Sequence, residues 1–142
     1  MEYKISISRR YESELSIIFF DIDHFKRIND NFGHDVGDTV LKELSALIKT
    51  HIRESDIFAR WGGEEFVVLL PNTPLKDAVL LGEKLQKAIK SYKFTQVEKL
   101  TCSFGVTQLQ AQEDANEFFK RADMLLYRAK EEGRDKIVSD IN

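Results

Sequence analysis

Apolar positions along the chain fall into short dense blocks, set apart by polar and glycine-bearing stretches. Leu15 to Phe20 is apolar apart from Ser16 and runs into Asp21-Ile22-Asp23. Rich in Ile and Phe, it predicts a buried central strand. Helical signal follows from His24 to about Asn31, then a break at Gly33 and Gly37. Val40, Leu41, Leu44, Leu47, Ile48 and Ile52 recur at helical spacing, with Asp38 placed to cap that second helix. The apolar runs around Ile57-Phe58-Ala59 and Phe66 to Leu70 predict a hairpin, with strands near 56–60 and 65–70, closed by Pro71-Asn72-Thr73-Pro74. A helix from about Leu75 to Ile89 turns Val79, Leu85 and Ile89 inward. Leu100 to Leu109 predicts another strand. From Asp114, the positions Phe118, Phe119, Ala122, Leu125, Leu126 and Ala129 make an apolar helical stripe, and Lys136 to Val138 predicts a short last strand.

The order is therefore β-α-α-β-β-α-β-α-β. A hairpin mixed with crossovers implies an α/β chain of the α+β kind, with a mixed central sheet and helices packed over it. At 142 residues the chain suits one domain, residues 1–142, with one core. Net charge is −3, so no broad basic field is available to a nucleic-acid backbone. An anionic ligand has to be held by local donors and metal ions instead. The one cysteine, Cys102, excludes an intrachain disulfide and lies in an apolar run, which favours a buried, inert thiol in a reducing compartment. No apolar run approaches the ~18 residues that span a bilayer. The expectation is a cytoplasmic domain, whose parent protein could still be membrane-bound.

Residues 60–66, Arg-Trp-Gly-Gly-Glu-Glu-Phe, carry the strongest chemical signal. Paired glycines favour a hairpin because φ > 0 costs glycine nothing. Lacking Cβ atoms, Gly62 and Gly63 also let a bulky ligand lie against the backbone. Glu64 then leaves the turn beside any phosphate bound there. If the strands ending at Asp21 and starting at Glu65 are neighbours, Asp21 and Glu64 meet at one end of the sheet. Two such carboxylates suit Mg²⁺ or Mn²⁺, which also take triphosphate oxygens. The helix opening after Asp23 presents free N–H groups beside them, a setting that favours phosphate. Each feature has a plainer reading: a solvated strand end for Asp21-Ile22-Asp23, an ordinary turn for the glycines, helix-end charges for Lys130 and Arg134.

The hairpin resembles the signature of the GGDEF family, the diguanylate cyclases, in its Gly-Gly-Glu-Glu-Phe form. Asp21-Ile22-Asp23-His24-Phe25-Lys26 and Ala129-Lys130-Glu131-Glu132-Gly133-Arg134-Asp135-Lys136 resemble two further family segments, although Asp135 and Lys136 depart from the family's Asn and Arg. The resemblance covers about residues 7–138. Ile7-Ser8-Arg9-Arg10-Tyr11 matches only the tail of a helix that family members usually complete, after an Asp-x-Leu-Thr-Gly-Leu-x-Asn-Arg segment. An N-terminally truncated domain of weakened activity is therefore expected.

The resemblance implies a palm-like fold of the adenylyl-cyclase type. It also implies metal ions, Mg²⁺ or Mn²⁺ and two per GTP, held by Asp21, the Ile22 carbonyl and Glu64. Asp23 would be a further ligand or a support behind one. The backbone N–H groups of Phe25 and Lys26 meet the β- and γ-phosphates, and Lys130 and Arg134 add cations. Asn29 and Asp38 read the base; a carboxylate accepts from guanine N1–H and N2–H₂ and opposes adenine. Two GTP condense to cyclic di-GMP and two pyrophosphates across a homodimer, with Glu65 as candidate base or no protein base at all. The Arg53-x-x-Asp56 pair lies at the register of a product-binding inhibitory site, with Lys84 as a further cation. An upstream sensor or dimerisation domain in a parent protein is expected, and no nucleic-acid partner. Two rivals stand beside this. One is a module that only binds GTP or cyclic di-GMP; such receptors usually lose the hairpin or metal acids, which are present here as Asp21, Glu64 and Glu65. The other is a cyclase making a monomeric cyclic nucleotide, which leaves the Arg53-x-x-Asp56 register unexplained.

Overall fold

Strand β1 (Leu15–Ile22) is buried along its whole length because both of its faces are covered. In the computed structural model, which describes residues 14–140, its even positions Ile18, Phe20 and Ile22 enter one core and its odd positions Leu15, Ile17 and Phe19 enter another. Alternate side chains of a strand point to opposite faces, so a strand apolar at both parities belongs at the centre of a sheet. The sheet order is β2-β3-β1-β4-β5, with β2 (Ile57–Arg60), β3 (Glu65–Pro71), β4 (Cys102–Gln108) and β5 (Ile137–Ser139). Pairings are antiparallel except β4 with β5, which is parallel. The helix tail expected at 7–11 lies outside the described residues.

Helices α1 (Phe25–Phe32), α2 (His34–Lys49) and α3 (Leu75–Ser91) supply side chains to the core on the even face of β1. Helix α4 (Ala115–Glu131) covers the other face through Phe118, Ala122 and Leu126. The mixed sheet with helices on both faces agrees with the expected fold class, and each expected element is present within a few residues of its expected bounds. Asp114 starts α4 with a reciprocal cap: its carboxylate accepts from Glu117 N–H at 2.8 Å and Glu117 accepts from Asp114 N–H at 3.1 Å. Gly105 of β4 sits where α4 crosses; a Cβ there would collide with the backbone of Ala122 and Leu126.

One expectation at the second helix is corrected. Asp38 is no cap: α2 begins earlier, at His34, directly after Gly33 at φ 93°. Gly33 alone makes the break between α1 and α2. Gly37 is helical and buried, and a Cβ on it would collide with the side chain of Asn29. Glycine there lets α1 and α2 pack with their backbones close, which sets Asn29 and Asp38 side by side across the two helices.

Candidate active site

The β1–β3 register pairs Asp21 with Glu65, so Glu64 stands one residue beyond, at the mouth of the hairpin. Asp21, Glu64, Lys26, Lys130 and Arg134 line a cavity of about 450 Å³ with the start of α1 as one wall. The sequence therefore brings the two expected metal carboxylates to one end of the sheet. Asp21 is buried, and its Oδ2 pairs with Lys130 Nζ from α4. Among the described residues, its Oδ1 is buried with no hydrogen-bond partner. Burial pushes the Asp21 carboxyl up from 3.8 to about 6, against the pull of Lys130, and the charges of Asp23 and Glu64 add to the rise.

An orphaned, buried carboxylate oxygen with a second carboxylate nearby is what a hard divalent cation satisfies. Among the described residues no three His, Cys, Asp or Glu side chains form a ready cage. Mg²⁺ commonly takes one or two carboxylates and fills its remaining positions with water and phosphate oxygens. Asp21, Glu64 and the Ile22 carbonyl fit that mode.

Asp23, expected as a further ligand or a support behind one, borders the same cavity but is buried, and protein donors engage its carboxylate. It accepts from Ser103 Oγ at 2.6 Å, Thr101 Oγ1 at 2.7 Å and Asp135 N–H at 3.0 Å. His24 caps α1 in the left-handed region at φ 57°, turning the chain sharply out of β1. Phe25 and Lys26 open the helix, where the first N–H groups have no intrahelical acceptor, and both line the cavity.

A second cavity of about 320 Å³ adjoins the first and shares Phe25, Lys26 and Glu64 with it. Asn29 and Asp38 both line it, with His34, Leu41, Arg60 and Gly63. Arg60 had no assigned role in the sequence. Its Nε donates to Gly62 O at 3.2 Å and Gly63 O at 2.8 Å, clasping the turn that it flanks. No local pattern marks an arginine for this, because the contact depends on how the turn folds back. The turn itself corrects an expectation. Neither Gly62 nor Gly63 adopts the left-handed region, since a four-residue loop closed by Trp61 N–H to Glu65 O at 2.8 Å does not need it. Their lack of Cβ matters differently: a Cβ on Gly63 would meet nothing within 4 Å, so that surface stays open to a ligand.

Glu65 lines neither cavity; a Cβ on Gly62 would stand 3.6 Å from its Oε1. Trp61 stacks on Phe119 at 5.3 Å and stays 58% exposed. Cys102 is a buried free thiol, pushed well above its ordinary range by burial. Away from this site, Arg53 and Asp56 are brought together at the start of β2. Arg53 Nη2 donates to Asp56 Oδ1 at 2.8 Å, Pro71 O at 2.9 Å and Thr73 Oγ1 at 2.7 Å. Both line a cavity of about 240 Å³, and Lys84 is not among its lining residues. No helix among the described residues is long and apolar enough to cross a membrane.

A sequence model of the family described as diguanylate cyclase, GGDEF domain, matches residues 1–136, a span close to the 7–138 of the resemblance. The chain is 44% identical to diguanylate cyclase DgcP of Pseudomonas aeruginosa over 140 residues, covering 96% of this chain and 21% of that protein. It superposes on the active GGEEF domain of a diguanylate cyclase from Vibrio cholerae with a TM-score of 0.93 at 35% identity, covering 99% of this chain and 92% of that one. The GGDEF domain of DgcB from Caulobacter crescentus, solved in complex with c-di-GMP, gives a TM-score of 0.91 at 26% identity, over 97% and 84% of the two chains. The chain spans 21% of the length of DgcP and 31% of that of diguanylate cyclase DgcM of Escherichia coli, to which it is 40% identical.

Proposed function

The chain belongs to the GGDEF family of diguanylate cyclase domains, and from that premise we propose that it condenses two GTP into cyclic di-GMP and two pyrophosphates. The observation that carries the reading is the pair of joined cavities. One has Asp21 with its orphaned oxygen, Glu64, and the cations Lys26, Lys130 and Arg134 for a triphosphate; the other has Asn29 and Asp38 for a base. Their shared wall at Phe25, Lys26 and Glu64 suits one nucleotide lying across both.

In this reading the first N–H groups of α1 and the side chains of Lys26, Lys130 and Arg134 hold the phosphates. Asp38 accepts from guanine N1–H and N2–H₂, and Asn29 completes the edge. Asp21, the Ile22 carbonyl and Glu64 would hold divalent ions, Mg²⁺ or Mn²⁺ and two per GTP, which would supply charge stabilisation at the phosphates. Lys130, paired with Asp21 and lining the same cavity, would also face phosphate oxygens. The 3′-hydroxyl of each GTP attacks the α-phosphorus of the other, a P–O bond to the β-phosphate breaks, and pyrophosphate leaves. Glu65 is the candidate base for the hydroxyl proton, the alternative being a hydroxyl that needs no protein base. One domain positions one GTP, so two copies must face each other about a two-fold axis. Arg53 and Asp56 bind product and restrain turnover; Lys84, which does not line their cavity, is left out of the site.

Incubating the protein with GTP and Mg²⁺, then separating the products by chromatography, tests the reading. Cyclic di-GMP and pyrophosphate in a 1:2 ratio are expected (roughly two leaving groups per product, by the chemistry above). GTP left intact at high protein concentration, with analogue binding retained, would leave only a binding module.

A further inference from the structure

The chain leaves α4 through three consecutive residues with positive φ: Gly133 at 117°, Arg134 at 63° and Asp135 at 49°. Glycine adopts this freely, but two side-chain-bearing residues in succession do so at a cost that other contacts must offset. The offsetting contacts converge on Asp135. Its N–H donates to Asp23 Oδ2 at 3.0 Å, 112 residues away in sequence. From α3, Gln86 Nε2 donates to Asp135 O at 2.8 Å and Lys90 Nζ to Asp135 Oδ2 at 2.9 Å. Arg134 N–H closes on Ala129 O at 2.9 Å.

Asp23 is a fixed anchor for this turn. It is 7% exposed, and Ser103 Oγ and Thr101 Oγ1 hold its carboxylate from β4 and the residue before it. With Asp135 N–H, three of its roughly four acceptor positions are used by the protein. Arg134 sits between the two αL neighbours and lines the larger cavity, as Lys130 does one turn earlier. Where the turn sits therefore decides where Arg134 points.

We propose that Asp23 is a positioning residue rather than a metal ligand: it holds the Gly133–Asp135 turn through Asp135 N–H and so keeps Arg134 on the triphosphate cavity. Gln86 and Lys90 brace the same turn from α3. This rests on reading that cavity as the triphosphate site.

The two roles for Asp23 make different demands. A metal ligand needs the charge. A positioning residue needs only an acceptor facing Asp135 N–H. Asp23→Asn keeps such an acceptor, and its amide can donate to Ser103 Oγ, which can turn its hydroxyl to accept. Asp23→Ala removes both. Calorimetry with a non-hydrolysable GTP analogue on the parent, Arg134→Ala, Asp23→Asn, Asp23→Ala and the Asp23→Ala/Arg134→Ala double variant separates the cases. Arg134→Ala and Asp23→Ala should each weaken binding about tenfold, and the double variant should lose little more than Asp23→Ala alone. Asp23→Asn should bind within about threefold of the parent, with the Mg²⁺ concentration for half-saturation unchanged. An Asp23→Asn variant that loses affinity like Asp23→Ala, or needs far more Mg²⁺, overturns the proposal in favour of a metal ligand. Additive losses in the double variant overturn it as well. If Arg134→Ala binds like the parent, the phosphate reading of the cavity fails first and the proposal with it. Should Asp23→Ala not fold, Asp23→Asn decides alone: parent-like binding supports the proposal, and a tenfold loss ends it.

Discussion

At the scale of single residues, the site holds charge where charge is costly. The folded Asp21 carboxyl titrates near 6, above its ordinary 3.8, so its ionisation destabilises the fold. That cost is absent below about pH 4, grows as the pH rises, and is complete above about pH 6. Asp21→Asn should therefore unfold at higher temperature than the parent at pH 7.5, by up to about 3 kcal/mol, with the gap closing towards pH 4. Thermal unfolding across that range in EDTA checks it; a variant less stable than the parent at pH 7.5 would refute the argument. Mg²⁺ with a GTP analogue should stabilise the parent more than the variant. Asp38 makes a second test. Its exposed carboxylate has no structural task as a cap, so Asp38→Ala should fold normally yet lose about 1.5–3 kcal/mol of GTP-analogue binding and most of its preference over ATP. Equal GTP and ATP binding by the parent would remove the base-reading role.

At the scale of elements, two glycines set how helices meet their neighbours. Gly37→Ala would drive a methyl into Asn29 and against the Phe25 ring. Because Asn29 lines the cavity proposed for the base, this change should cost both stability and guanine binding, each by about 1–3 kcal/mol. Gly105→Ala meets backbone atoms of α4 that have no rotamer to escape into. It should cost more stability than Gly37→Ala without touching base preference directly. Denaturant unfolding and analogue titration on the same two variants separate these effects. If Gly37→Ala keeps full affinity, the α1–α2 contact does not place Asn29.

At the scale of the whole molecule, the Arg53–Asp56 pair and the Gly62-Gly63 turn lie beyond opposite ends of β2, a strand roughly 13 Å long at about 3.3 Å per residue. A ligand at the first could reach the second through an edge strand of four residues. Asp56 is buried and its partner arginine is already bonded to it, to Pro71 O and to Thr73. Arg53→Ala should thus weaken cyclic di-GMP binding while sparing GTP-analogue affinity, and also lower stability by about 1–3 kcal/mol, since the buried Asp56 keeps only the residue-53 N–H of its bonds to Arg53. Calorimetry with both ligands, beside a melting curve, reads all three; unchanged cyclic di-GMP binding would leave the pair as a structural tie of β2 to the β3–α3 connection. If chemistry needs two facing copies, as proposed, specific activity should rise with protein concentration, and a parallel coiled coil fused before Tyr3 should remove that dependence. High, concentration-independent activity from a monomer by light scattering would contradict this.

Periods of two and 3.6 residues are local, so the order of strands and helices, the double-sided burial of β1 and the helical stripe after Asp114 could be read from the chain alone. The hairpin and its carboxylates were legible for the same reason: their chemistry lies within a few consecutive residues. Contacts across the sheet were not. That Lys130 pairs with Asp21, that Asp23 reaches Asp135, and that Arg60 clasps its own turn depend on strand register and on where α4 crosses β4. Asp38 shows the boundary within one residue. Its type suited both a helix cap and a base reader, and only the start of α2 at His34 and the close approach at Gly37 removed the first role and set the side chain beside Asn29. Propensity acts on a residue and its near neighbours, whereas a site is made by packing elements whose spacing no local pattern encodes.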